Sequence, residues 1–222
     1  MNEHTAVVIG ASGLVGSFLL QELLNDPCFN KVRVLLRKPL PLHHPKLVQE
    51  LVNFDDTSDY ENKLGKGDII FCCVGTTIKK VNGDITEYEK IDYWIPYNAA
   101  RSGILKGYKK FLIISSAGAN RKSKKFYLRI KGKIEEALKE FSFESTYIFR
   151  PGQLLGKRTE YRRGEQFLQS VTKFISHFLL GSLKRFHSIE ARKVARAMVA
   201  AAKKDESGIH ILQYREMMSL IK

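Results

Sequence analysis

The sequence predicts an α/β fold, a doubly wound parallel sheet in a single domain. Three observations predict it. An apolar run, Ala6-Val7-Val8-Ile9, enters a glycine-rich turn at Gly10–Gly16, and an apolar pattern leaves it at helical spacing, with Leu14, Val15, Phe18, Leu19, Leu20, Leu23 and Leu24. Short apolar runs and helical patterns then alternate along the chain, which implies parallel strands joined by right-handed crossovers. The 222 residues, 44% hydrophobic and 27% charged, suit one domain with a substantial core.

Each element follows from local chemistry. Asp26-Pro27 ends the first helix, because proline cannot continue it. Lys31–Arg37 reads as the second strand, and Pro39, Pro41 and Pro45 make the next stretch a loop. A short third strand is expected within Lys46–Phe54 and a polar helix over 57–65. Asp68–Val74, apolar after its first residue, suits a strand buried on both faces. A helix is predicted over 84–103, kinked by Pro96. Lys110–Ser115 is the fifth strand, 124–140 a charged helix holding Tyr127 and Lys131, and Ser145–Phe149 the sixth strand. Residues 153–190 break the alternation and read as a substrate-side insertion. Their stripe Phe167, Leu168, Val171, Phe174, Ile175, Phe178, Leu179 fits core packing or a substrate- or subunit-facing surface. A helix over Ala191–Ala202, a strand over Ile209–Leu212 and a helix over 215–222 complete the chain.

The glycine turn is where the chemistry starts. Glycine turns tightly and lets bare backbone approach a pyrophosphate, while the following helix offers unpaired N–H groups and its positive dipole end. Ligands on such sheets lie beyond the carboxyl ends of the strands. Gly10–Gly16, Arg37, Asn53, Val74-Gly75, Ser115-Ser116 and Pro151-Gly152 all fall at those ends. The candidate cofactor contacts are Gly10, Ser12, Gly13, Leu14, Val15, Gly16, Arg37, Lys38, Asn53, Phe54, Val74, Gly75, Thr76, Pro151 and Gly152. A site for NAD carries a carboxylate ~20 residues beyond the turn, on the ribose 2′-hydroxyl. Here Arg37 and Lys38 stand in its place, and a guanidinium pairs with a 2′-phosphate. NADP(H) is therefore expected over NAD(H).

Tyr127 and Lys131 are four apart on a predicted helix and share a face. An ammonium beside a phenol favours the phenolate, fitting the tyrosine to exchange a proton with a carbonyl or alcohol oxygen. Ser116, ahead of Ser115, is placed at the end of the fifth strand to hold that oxygen.

These features resemble the short-chain dehydrogenase/reductase superfamily and, within it, the atypical branch of Tat-interacting-protein-like oxidoreductases. The resemblance runs nearly end to end. It rests on the Gly10–Gly16 turn, Phe71-Cys72-Cys73-Val74-Gly75-Thr76-Thr77, Ser115-Ser116-Ala117-Gly118-Ala119, Tyr127-Leu128-Arg129-Ile130-Lys131-Gly132 and Phe149-Arg150-Pro151-Gly152. It implies a Rossmann-type fold, NADPH binding and a Ser116–Tyr127–Lys131 triad. In that picture Tyr127 is the acid/base and also contacts the cofactor, Lys131 lowers its pKa and bonds the nicotinamide ribose, Ser116 orients the substrate oxygen, and Asp92 joins the catalytic set. Two positions depart from the superfamily pattern. Asp92 stands where most members have an asparagine supporting a water, so a carboxylate is expected near Lys131. Asn53 stands where an aspartate usually meets the adenine, with Phe54 packing nearby. The larger C-terminal region of the extended branch is missing, which argues against a nucleotide-sugar epimerase or dehydratase.

The net charge of +14 favours anionic partners or reflects solvated lysine-rich faces. Its clusters lack the interleaved aromatics of a single-strand binder, so no specific nucleic acid is expected. Two functions stay open. One is an NADPH-dependent oxidoreductase acting on a small carbonyl or alcohol, acidic substrates included. The other is a non-catalytic NADPH-binding regulator that docks a protein partner. Nothing chooses between monomer and homodimer. No run reaches membrane-spanning length. The three cysteines, Cys28, Cys72 and Cys73, match no disulfide framework or metal site. With no leader evident before the first strand, a cytoplasmic protein is expected.

Overall fold

A computed structural model describes residues 3–156 and 187–222; the Phe167–Leu179 stripe and the basic run at 157–163 lie outside the described residues. The elements run β1 (His4–Ile9), α1 (Leu14–Asn25), β2 (Phe29–Leu36), β3 (Leu47–Leu51), α2 (Thr57–Leu64), β4 (Ile69–Cys72), α3 (Ile85–Glu89), a π turn (Lys90–Trp94), α4 (Ile95–Leu105), β5 (Lys110–Ile114), α5 (Phe126–Leu138), β6 (Ser145–Phe149), β7 (Leu154–Leu155), β8 (Ile189–Glu190), α6 (Ala191–Ala202), β9 (Gly208–Leu212) and α7 (Tyr214–Ser219). Seven strands pair in the order β3-β2-β1-β4-β5-β6-β9, every pair parallel. The order reverses between β1 and β4, where a doubly wound sheet opens its ligand crevice.

Strand side chains alternate between two cores. Ala6, Val8, Phe71, Leu112 and Phe149 join α1, α6 and α7 on one face. Val7, Ile9, Ile70, Ile113 and Ile148 join α2, α4 and α5 on the other. Covered on both faces, the central strands read as unbroken apolar runs, as parallel strands must. Because all seven strands point the same way, their carboxyl ends form one edge.

The helix expected over 84–103 arrives in three pieces. Ile95 donates its N–H to the Lys90 carbonyl, five residues back, so the helix widens by one residue just ahead of Pro96. Proline has no N–H to donate and its ring crowds the carbonyl four residues earlier; the wider turn relieves that crowding. The expected kink at Pro96 is thus realised as a π turn. The β7–β8 pair was not expected, since two residues each give no readable period.

Candidate functional site

The glycine turn is built as the sequence demands. Gly10 has φ +85°, and a Cβ there would lie 2.7 Å from the Cys73 carbonyl carbon and 2.8 Å from the Val74 nitrogen. A Cβ on Gly16 would lie 2.1 Å from the Gly10 oxygen. Gly13 N donates to that same oxygen at 3.0 Å. Gly13 also caps α1 without a side-chain bond, and the helix has no acidic residue in its first turn. The first N–H groups of α1 therefore have no intrahelical acceptor and no carboxylate competing for them. Ser12 is exposed and Val15 buried. Leu14 also faces the segment after β6, because a Cβ on Gly156 would touch its Cδ1 at 3.1 Å.

Across the edge, Arg37 and Lys38 end β2 as exposed cations with no ion pair among the described residues. Asn53 closes an Asx turn by accepting from Asp55 N at 3.1 Å, and its own N–H donates to Asp59 at 2.7 Å. Phe54 packs on Tyr60 with ring centroids 5.4 Å apart. Val74 is half-buried and Gly75 exposed at the end of β4.

Gly75 roofs the most highly charged part of the interior. A Cβ there would lie 3.6 Å from Asp92 Oδ1 and 3.9 Å from Lys131 Nζ. Those two atoms are 2.8 Å apart, with both side chains 5% exposed or less. The contact is close but poorly aligned as a hydrogen bond on Oδ1. Asp92 Oδ2 accepts the Thr76 N–H at 2.8 Å, and Lys131 Nζ also reaches the Ile114 carbonyl at 3.4 Å. Burial pulls the Lys131 ammonium down, but the Asp92 carboxylate and Tyr127 phenol together outweigh it, and the net shift is upward. The pairing thus favours the ammonium form of Lys131. Tyr127, one turn earlier on α5, is 41% exposed at the mouth. Around it Arg121, Lys122, Lys124 and Lys125 are exposed, without an ion pair among the described residues. Gly132 lets the 119–121 loop lie against α5; a Cβ there would be 2.1 Å from Arg121 N.

The two serines separate. Ser115 is buried, and its hydroxyl donates to the Glu135 carboxylate. Ser116 is half-buried, and among the described residues its hydroxyl makes a 3.4 Å contact to the Ala117 carbonyl. Pro151 is fixed to this edge by accepting Ala117 N at 2.8 Å, with half-buried Gly152 following it.

Two residues here, Glu135 and Tyr88, escaped the sequence reading. Glu135 binds Ser115 and pairs with Arg150 through two donors, Nε at 3.0 Å and Nη2. The signal for Glu135 was its place one turn beyond Lys131. The Tyr88 hydroxyl is buried without a hydrogen-bond partner among the described residues. Burial, then Asp92 and Tyr127, push its phenol far above the ordinary value. It sits one turn before Asp92, a spacing visible in the sequence but without meaning until the fold is known. Burial likewise pushes the Cys72 thiol to about 12, which makes it unreactive. Among the described residues no group of His, Cys, Asp or Glu could hold a metal, and no helix is long and apolar enough to cross a membrane.

A parallel sheet covered by helices on both faces and opened by a glycine turn defines a Rossmann-type α/β fold. The chain superimposes on a UDP-N-acetylglucosamine 4-epimerase from Methanobrevibacter ruminantium in complex with UDP-N-acetylmuramic acid, with TM-score 0.70 and 18% identity, covering 96% of this chain and 77% of that one. Bordetella bronchiseptica WbmH in complex with NAD+ gives TM-score 0.70 at 14% identity, covering 96% and 76%. More particularly, the chain belongs to the HIM1 family, whose model matches residues 50–183. It is 34% identical to rat Protein HTATIP2 over 168 residues, 74% of this chain and 69% of that protein. It is 32% identical to Protein FMP52, mitochondrial, of Eremothecium gossypii over 225 residues, covering 98% and 97%. The resemblance to the atypical, Tat-interacting-protein-like branch stands. The expectation of a cytoplasmic protein is corrected, because this FMP52 and the fmp52 of Aspergillus clavatus, 33% identical, are named mitochondrial. Unpaired cysteines report a reducing environment and do not name the compartment.

Proposed function

We propose that the chain is an NADPH-dependent oxidoreductase acting on a small carbonyl or alcohol. The observation that carries this is the buried Lys131–Asp92 pair at 2.8 Å, lodged directly beneath Gly75 at the edge that the glycine turn opens. A buried charge pair is expensive to keep and is weak support for stability, so a functional reason is called for.

The residues fit a nicotinamide dinucleotide. A Cβ on Gly10 would strike the Cys73–Val74 backbone and one on Gly16 the Gly10 carbonyl, so these glycines let the turn close tightly ahead of the uncapped start of α1, whose N–H groups suit a pyrophosphate. Gly10–Gly16 would hold the pyrophosphate, Arg37 and Lys38 the 2′-phosphate, Asn53 and Phe54 the adenine, and Val74–Thr76 with Pro151-Gly152 the nicotinamide half. When bound, the cofactor supplies the hydride chemistry. The chain supplies the rest. Tyr127 gives or takes the proton at the substrate oxygen, Ser116 donates a hydrogen bond to that oxygen, and Lys131 keeps positive charge beside the phenol. Asp92 keeps Lys131 charged and in place. The exposed cations around Tyr127 favour a substrate bearing a carboxylate or phosphate.

The test is NADPH oxidation against a panel of acidic and neutral carbonyl compounds, with Tyr127→Phe as control. Turnover that survives in the variant removes the triad from the mechanism. A regulator without turnover is the second reading. It is favoured by the half-exposed Trp94, whose ring joins Tyr93 and Tyr97 on the outer helix face. It requires NADPH to change the affinity for a protein partner.

A further inference from the structure

We infer that Glu135 is a positioning residue for the Tyr127–Lys131 site, clamping α5 to the ends of β5 and β6. Tyr127, Lys131 and Glu135 recur every four residues and so lie along one face of α5. Two of them are charged and almost completely buried, with Glu135 3% and Lys131 4% exposed. The Glu135 carboxylate is held on three sides. Ser115 Oγ donates to Oε1, Arg150 Nε lies 3.0 Å from Oε1 and 3.2 Å from Oε2, and Arg150 Nη2 donates to Oε2. Ser115 directly precedes Ser116, and Arg150 directly precedes Pro151. The two strand ends are joined to each other where Ala117 N donates to the Pro151 carbonyl at 2.8 Å.

Well-packed apolar residues at both 135 and 150 would fill this space without a charge, and buried pairs are often no more stabilising than such replacements. What apolar contact lacks is direction. A two-point guanidinium fork together with a serine hydroxyl fixes the helix in rotation and in translation along its axis. Gly132 completes the restraint by seating the 119–121 loop against α5. The face so fixed carries Lys131 onto Asp92 and Tyr127 to the mouth. Displacement of a reacting group by about 1 Å can lower a rate about 100-fold, so such a clamp has a direct chemical consequence.

The inference rests on the proposed oxidoreductase site, and its test separates the two. NADPH is titrated into the full chain and into Glu135→Leu, Glu135→Gln and, as control, Ser145→Ala. Ser145 is buried at the opposite end of β6, where its hydroxyl donates to the Glu206 carbonyl. Glu135→Leu is expected to weaken NADPH binding at least tenfold. Glu135→Gln, which keeps one acceptor oxygen, is expected to weaken it about threefold. Ser145→Ala is expected to lower the melting temperature without changing affinity. Wild-type affinity in both Glu135 variants overturns the clamp, as does an equal loss in Ser145→Ala. If Glu135→Leu does not fold, Glu135→Gln decides. If the wild type binds no nicotinamide cofactor, the proposed function fails, and the clamp is judged on the cofactor-free protein. There the buried Lys131 ammonium, facing Asp92, Tyr127 and Cys72, is expected to give a slowly exchanging 15N–1H resonance, assigned by its loss in Lys131→Met. A resonance displaced or lost in Glu135→Gln supports the clamp, and an unmoved one overturns it.

Discussion

Asp92→Asn isolates the charge of the buried pair. The amide keeps a carbonyl oxygen for the Thr76 N–H, now accepted at 2.8 Å, so only the carboxylate charge is removed from Lys131. Removing one partner of a buried pair costs about 3–5 kcal/mol. The retained Thr76 bond places this variant near the lower end, about 3 kcal/mol. For a chain of this size that is a fall of about 6–12 °C in Tm. The pH dependence gives the sharper test. In the wild type the Lys131 pKa lies above its ordinary 10.5, so its contribution is complete below 10.5 and is lost as pH rises through the raised value. In the variant, burial is opposed chiefly by Tyr127, and the folded pKa falls below 10.5. The deficit is then largest at neutral pH and closes as pH climbs from the lowered pKa toward 10.5. Urea unfolding followed by far-UV circular dichroism at pH 7, 8.5 and 9.5 measures it. A difference below about 1 kcal/mol, or one that stays constant with pH, refutes the assignment of Asp92 as the group that holds Lys131 charged.

Other perturbations have equally definite outcomes. Gly16→Ala puts a carbon 2.1 Å from the Gly10 carbonyl oxygen, a backbone atom; a loss of about 2–3 kcal/mol in urea unfolding is expected, with NADPH binding abolished in calorimetry. Tyr127→Phe removes an exposed hydroxyl, so stability should stay within about 0.5 kcal/mol while turnover falls about 100-fold or more in the NADPH assay. Arg37→Asp should weaken NADPH far more than NADH, and equal losses would remove Arg37 from the 2′-phosphate site. The Cys72 thiol, raised to about 12 by burial, should resist iodoacetamide at pH 8 in the native protein and react once urea unfolds it, as read by mass spectrometry.

The sheet was legible because parallel strands covered on both faces leave continuous apolar runs, and Ile69–Cys72 could be nothing else. The glycine turn was legible because Gly10 and Gly16 answer a steric demand that only glycine meets. Tyr127 and Lys131 declared themselves by spacing on one helix. Glu135 with Arg150 did not, since pairing between a helix and a strand end fifteen positions away leaves no periodic mark. Ser115 and Ser116 could be ranked but not separated until Glu135 was seen to occupy one of them. The widening at Lys90–Trp94 was hidden because a one-residue phase step between two short helical stretches leaves no readable break, with Pro96 as its trace. Compartment was misread from cysteine pairing, which senses redox state and carries no address.

That widened turn also sets the phase of everything after it. One additional residue in a helix swings the following side chains by about 100°. Ile95, Ala99 and Ala100 meet the sheet while Asp92, inside the widened turn, meets Lys131. Excising a single residue between 90 and 94 would force a choice: either the carboxylate turns away from the ammonium, or the second half of the helix presents its wrong side to the core. The widened turn therefore ties the aim of a charged centre to the seating of an apolar wall within one continuous segment.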